Sequence, residues 1–117
     1  MKAVIEIAKR GSAVKAARRQ LASSAQGEDA DFHLSFESAR SLLSELTPAR
    51  VELLDTLRRI GPCSVYALAK GAERNYSNVH SDVGRLEYLG LIERTEEDAI
   101  FVPYETVEIH LPLAHMA

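Results

Sequence analysis

Apolar residues recur at two different periods along the chain, and the switches between those periods divide it into elements. Residues 2 to 7 alternate and are rich in Val and Ile, which predicts a short strand. Ser12 to Ser24 places Val14, Ala17 and Leu21 at helical spacing after Gly11, which predicts a helix. Ser23 to Asp31 is polar, aperiodic and contains Gly27, as a linker does. Phe32, Leu34 and Phe36 then alternate with His33 and Ser35, and Glu37 to Leu46 predicts a short helix carrying Leu42, Leu43 and Leu46.

Beyond Thr47 the pattern is more regular. Thr47 offers a capping hydroxyl and Pro48 suits the first helical position, where its missing N–H costs nothing. Val51, Leu54, Leu57 and Ile60 form one apolar stripe with Leu53 in a second row, until Gly61-Pro62 stops the helix. Ser64 caps a second helix that buries Val65, Leu68 and Ala69. A third starts near Asn75, buries Val79, Val83 and Leu86, and ends at Leu89-Gly90. The period then drops to two: Leu91-Ile92-Glu93-Arg94 and Ala99-Ile100-Phe101-Val102 flank Thr95-Glu96-Glu97-Asp98, the pattern of a β-hairpin with a polar loop. Val107, Ile109 and Leu111, interleaved with Glu108 and His110, predict one more strand before Pro112. Helix, helix, helix, hairpin is the order of a winged helix.

The expected fold class is therefore mainly α with a small β-hairpin wing: a winged helix-turn-helix with an N-terminal strand-helix extension. The corresponding division is an extension and linker over residues 1–35, a winged helix-turn-helix domain over 36–111 and a tail over 112–117. The extension is read as a dimerisation or partner arm. A length of 117 residues fits one such domain with its extension.

Charge narrows the function classes. Fourteen Lys and Arg against 17 Asp and Glu give a net charge of -3, which excludes a protein that coats nucleic acid indiscriminately. Residues 1–46 hold seven basic and six acidic side chains and residues 47–117 seven and eleven, so the net charges are +1 and -4. No apolar run approaches the roughly 18 residues of a membrane span, and Glu6 interrupts the place of a signal peptide's apolar core, so the chain is expected to be cytoplasmic and to avoid the membrane. Cys63 is the only cysteine and is read as a small buried or half-buried residue. His33 has no partner at ligand spacing and is read as a surface histidine; His110 and His115 are read as incidental. With no phosphate loop, no His or Cys cluster and no nucleophile in a recognisable setting, neither an enzyme nor a metal or cofactor site is expected.

With Val79, Val83 and Leu86 turned inward, the third helix leaves Ser77, Asn78, His80, Ser81, Gly84, Arg85 and Tyr88 outward. Asn pairs bidentately with adenine and Arg with guanine, while Ser and His reach bases or phosphates, so this face suits a major groove. Tyr76, in the first turn, either contacts a phosphate or packs on the second helix; Asn75 either caps the helix or contacts DNA. Arg85 either reads DNA or pairs with Asp82 or Asp55. Arg74, Asn75, Tyr76, Ser77, Asn78, His80, Ser81 and Arg85 make up the candidate DNA-binding set.

Leu46-Thr47-Pro48-Ala49-Arg50 with Leu53-Leu54, Gly61-Pro62-Cys63-Ser64 with Leu68-Ala69, and Arg74-Asn75-Tyr76-Ser77-Asn78-Val79-His80-Ser81-Asp82-Val83 with Leu86 and Leu89-Gly90-Leu91-Ile92 together resemble a prokaryotic family of MarR-like winged-helix transcriptional regulators. The resemblance spans residues 36 to 103, and Tyr-x-Asn-Val-His-x-Asp-Val is its most specific string. It implies a recognition helix from Asn75 to Leu89, with Tyr76, Asn78 and His80 at family-matching positions. It also implies kinship with the regulator half of toxin–antitoxin pairs, and so a toxin partner. The family has basic residues where this chain has Ser77, Ser81 and Gly84. Gly84 itself forgoes about 1 kcal/mol of helix propensity against Ala.

Residues 64–85 hold Lys70, Arg74 and Arg85 against Glu73 and Asp82, a local net of only +1. The hairpin loop carries Glu96, Glu97 and Asp98 where a winged protein often places a basic residue in the minor groove. Two functions compete. The leading one is a sequence-specific regulator, binding double-stranded DNA as a homodimer to repress or autoregulate its own operon. The rival is a protein-interaction module or antitoxin that neutralises a partner toxin, with residues 2–7 and 106–111 as contact strands and DNA binding secondary.

Overall fold

The computed structural model describes residues 1–8 and 30–113. The helix expected over Ser12 to Ser24 and most of the linker over Ser23 to Asp31 lie outside the described residues, as does His115. The chain divides into two units, one formed by Met1–Glu45 with Tyr104–Ala117 and the other by Leu46–Pro103. These divisions fall inside the expected 36–111 domain. The strand after Tyr104 goes with the N-terminal segment.

The first unit is built on three strands, β1 (Ala3–Ile7), β2 (Phe32–Phe36) and β5 (Val107–Ile109), with β1 in the centre. Both pairings are parallel: Ala3, Val4 and Ile5 stand opposite Phe32, His33 and Leu34 on one side and Val107, Glu108 and Ile109 on the other. Parallel neighbours need a long connection, and here residues 8–31 and the whole second unit supply the two crossovers. Alternation sorts the sheet into two faces. Ala3, Ile5, Phe32 and Leu34 are buried on one, and Phe32 stacks on the buried Tyr104 ring with centroids 5.6 Å apart. The other face carries Val4, Glu6, His33, Ser35 and Glu108. A short helix, α1 (Ala39–Glu45), packs against β1 and β2; its Leu42 is fully buried whereas Leu43 is exposed.

The sheet corrects the expectation of a mainly α fold: the protein is mixed α/β. Alternation within β1 cannot reveal that residues a hundred positions apart share a ladder, because register over such distances leaves no local pattern. The sheet also removes residues 2–7 as a docking strand for a partner, since β1 is paired on both sides.

The second unit contains three helices and a hairpin. Helix α2 (Pro48–Ile60) starts where Thr47 Oγ1 accepts from the Arg50 N–H at 3.2 Å and Pro48 takes the first position. It ends at Gly61, whose φ of 88° with extended ψ is a conformation only glycine adopts without strain. Its buried side is Leu53, Leu54 and Leu57, while Val51 and Ile60, the ends of the expected stripe, are exposed. The inward stripe therefore centres between the two sequence rows. Helix α3 (Val65–Ala72) is capped by Ser64, whose Oγ accepts from Ala67 N–H at 3.0 Å, and closes on Glu73 in the left-handed region. Helix α4 (Tyr76–Tyr88) buries Val79, Val83 and Leu86 completely, as its periodicity predicts.

Strands β3 (Glu93–Arg94) and β4 (Ile100–Phe101) pair antiparallel, shorter than the sequence pattern suggests because Leu91 and Ile92 are drawn into the core. Cys63 exchanges backbone hydrogen bonds with Ile100 at 2.7 and 3.1 Å, fixing the α2–α3 connection to the hairpin. Each fully buried Leu, Ile or Val here contributes on the order of 1.5–3 kcal/mol through removal from water. That core holds α4 from behind and leaves its other face open to solvent.

Candidate nucleic-acid interface

Helix α4 starts because Asn75 turns its side chain back: Oδ1 accepts from the Asn78 N–H at 3.2 Å. Asn75 is thus a cap, and its side-chain oxygen is engaged by its own helix. Tyr76, Ser77, Asn78, His80, Ser81, Gly84, Arg85 and Tyr88 are all exposed. Apart from Tyr76, which the sequence leaves open between phosphate contact and packing, these are the outward residues that the periodicity assigns. With 13 residues the helix is about 20 Å long, enough to lie along a groove.

The exposed side chains are organised among themselves. The Tyr76 and His80 rings, one turn apart, sit with centroids 5.8 Å apart and tilted by 36°. Tyr76 stays about half exposed, so its ring is a surface feature of α4. At the far end the Arg85 guanidinium lies over the Tyr88 ring, 4.8 Å from the centroid. Polar donors at one end and a cation over an aromatic plane at the other make a surface equipped for hydrogen bonding and for anion contact.

Asp82 lies on the flank of α4 and is mostly shielded, with its side chain 15% exposed. Its Oδ1 accepts from Arg50 Nε of α2 at 3.0 Å and its Oδ2 from Arg74 Nη2 at 2.8 Å. Burial pushes the Asp82 carboxyl up, but the hydrogen bonds and charges of Arg74 and Arg50 outweigh it and hold the group below the ordinary carboxylate range. Arg74, expected among the DNA-facing residues, is committed to this bridge; its Nη1 is buried with no hydrogen-bond partner. Helical spacing pointed to Arg85, three residues from Asp82, and gave no sign of Arg50, whose approach depends on how α2 packs.

The hairpin is a second charged surface. Arg94 donates to Glu87 from Nε and Nη2 at 3.0 Å and to Asp98 from Nη1 at 3.0 Å. The turn closes through Asp98, which adopts a φ of 67°. Glu93, Glu96, Glu97 and Asp98 are exposed, so the one hairpin cation is neutralised and the loop is acidic.

On the polar side of the sheet in the first unit, His33 Nδ1 lies 3.3 Å from Glu6 Oε1, and Glu108 lies 3.1 Å from both Lys2 Nζ and His110 Nε2. The His110 and Lys2 contacts hold Glu108 below its usual range. His33, read without a partner, therefore has a carboxylate neighbour that the β1–β2 pairing provides, whereas His110, read as incidental, has one two residues before it in the chain. Among the described residues no group of three His, Cys, Asp or Glu is placed to hold a metal ion. Burial raises the half-buried Cys63 thiol above its ordinary pKa, which works against thiolate chemistry. Among the described residues no helix is long and apolar enough to cross a membrane.

No curated protein and no solved structure matches the chain. The HVO_A0114 family matches residues 45–109, a span that takes in α2, α3, α4, the hairpin and β5. That is more than half of the 117 residues, and the chain belongs to the HVO_A0114 family.

Proposed function

We propose that the protein is a sequence-specific DNA-binding transcriptional regulator, and that α2, α3, α4 and the β3–β4 hairpin act as a winged helix-turn-helix. The observation that carries this reading is α4 itself. Its apolar stripe is fully buried, and its solvent face is made of hydrogen-bonding side chains with a cation at one end. Asn78, His80 and Arg85 read base edges in the major groove, and Tyr76, Ser77 and Ser81 meet the backbone or adjacent bases. Asn75 and Arg74 serve the helix by capping and bridging, outside the contact set.

Because the chain is net acidic, a single α4 offers few phosphate contacts. The regulator acts as a homodimer that sets two α4 helices into successive half-sites, about 34–36 Å apart. It represses or autoregulates its own operon, as the MarR-like resemblance implies. Binding to the DNA upstream of its own gene, tighter than to random duplex, tests the reading.

The acidic hairpin favours a second function on the same chain. Glu93, Glu96, Glu97 and Asp98 repel phosphate and suit a basic protein partner, such as the toxin of a two-gene pair. A stoichiometric partner that co-purifies from the native operon without DNA would make that function the primary one.

A further inference from the structure

Asp82 ties three segments together with one carboxylate: α4 that bears it, the first turn of α2 through Arg50, and the α3–α4 connection through Arg74. Each oxygen takes one guanidinium, and the arginine side chains are only 22% and 27% exposed. Building on the DNA reading of α4, we propose that Asp82 is a positioning residue: it withholds the Arg50 and Arg74 guanidiniums from phosphate, which keeps sequence-independent binding low, and it holds α4 at the angle from which base edges are read.

Arg74 depends on this carboxylate. Its Nη1 is already buried without a partner, a cost met by the 2.8 Å charge-assisted bond from Nη2. With the carboxylate gone, solvent or phosphate becomes the better place for that guanidinium. Residues 64–85 carry a net charge of +1, so the cations near α4 are few and their disposition decides the non-specific term. Phosphate neutralisation is indifferent to sequence, whereas base contacts are not. Holding two guanidiniums in an internal bridge therefore lowers affinity for every duplex alike and leaves the base-reading difference intact. The same bridge fixes the rotation of α4 against α2, which aims Asn78 and His80.

The test is a salt titration, from about 50 to 200 mM, of full-length wild type, Asp82→Asn and Arg74→Gln on random duplex and on the upstream DNA. The Asp82→Asn variant binds random duplex more tightly, with a log Kobs against log salt slope steeper by about 0.9 for each guanidinium released; with α4 no longer held at its angle, its preference for upstream DNA also falls. Arg74→Gln leaves the wild-type slope unchanged, because that guanidinium is not on phosphate. A folded Asp82→Asn with an unchanged or shallower slope overturns the proposal. So does an Arg74→Gln slope reduced by about 0.9, which also decides the matter if Asp82→Asn fails to fold. A wild type that binds both duplexes equally defeats the sequence-specific reading, while the two random-duplex slopes still judge the bridge. A wild type that binds neither defeats both.

Discussion

The Arg85 guanidinium lies over the Tyr88 ring, 4.8 Å from its centroid, on the exposed side of α4. The ring holds the cation on the face proposed for DNA, where its fork suits guanine O6 and N7. Arg85→Ala and Asn78→Ala should each weaken binding to upstream DNA by about 1–3 kcal/mol and relax the sequence preference at one position. Tyr88→Ala should cost less, about 0.5–1 kcal/mol, the worth of an exposed cation–π contact. Polarisation titrations on a panel of single-base variants check all three.

Gly84 lies in the middle of α4, exposed, and a Cβ built there meets nothing within 4 Å. Nothing among the described residues demands glycine at this position. Gly84→Ala should therefore stabilise the protein by about 0.5–1 kcal/mol through helix propensity, read as a raised urea midpoint. If stability rises while affinity for upstream DNA falls, glycine is kept there for close approach of DNA.

The bridge at Asp82 makes stability depend on pH. Its carboxyl titrates lower in the folded protein than in the unfolded chain, so the unfolded state binds the proton first as pH falls. The stabilisation is complete above the ordinary carboxylate value of about 3.9 and is lost as pH drops through the lower folded value. Asp82→Asn removes it at every pH. The difference in melting temperature between wild type and variant should shrink on acidification below about pH 4, and a constant difference would contradict the bridge.

Glu96 and Glu97 stand exposed in the hairpin loop beside Asp98, which is tied to Arg94. The pair Glu96→Lys and Glu97→Lys should tighten binding to any duplex and steepen its salt dependence, because two repelling charges become two attracting ones. Unchanged binding would mean that the hairpin does not approach DNA.

What the sequence discloses depends on the range of the interaction. The caps at Thr47, Ser64 and Asn75, the stop at Gly61 and the inward stripe of Val79, Val83 and Leu86 are local, and each is legible in a window of a few residues. The exposed face of α4 follows from that stripe by geometry alone. The sheet was not legible, because β1 meets β2 and β5 across gaps of about 25 and 100 residues and register leaves no local trace. Asp82 marks the same boundary within the interface. Spacing suggests Arg85 as its partner, yet it is the packing of α2 that brings Arg50 to this carboxylate.

In the proposed function α4 reads DNA sequence. A polarisation titration of the full-length protein on its own upstream DNA and on random duplex of equal length, at one moderate salt concentration, tests it most directly. Affinity for upstream DNA should be at least about 1,000-fold tighter, the lower end for specific binders. Equal affinity for the two duplexes would contradict it.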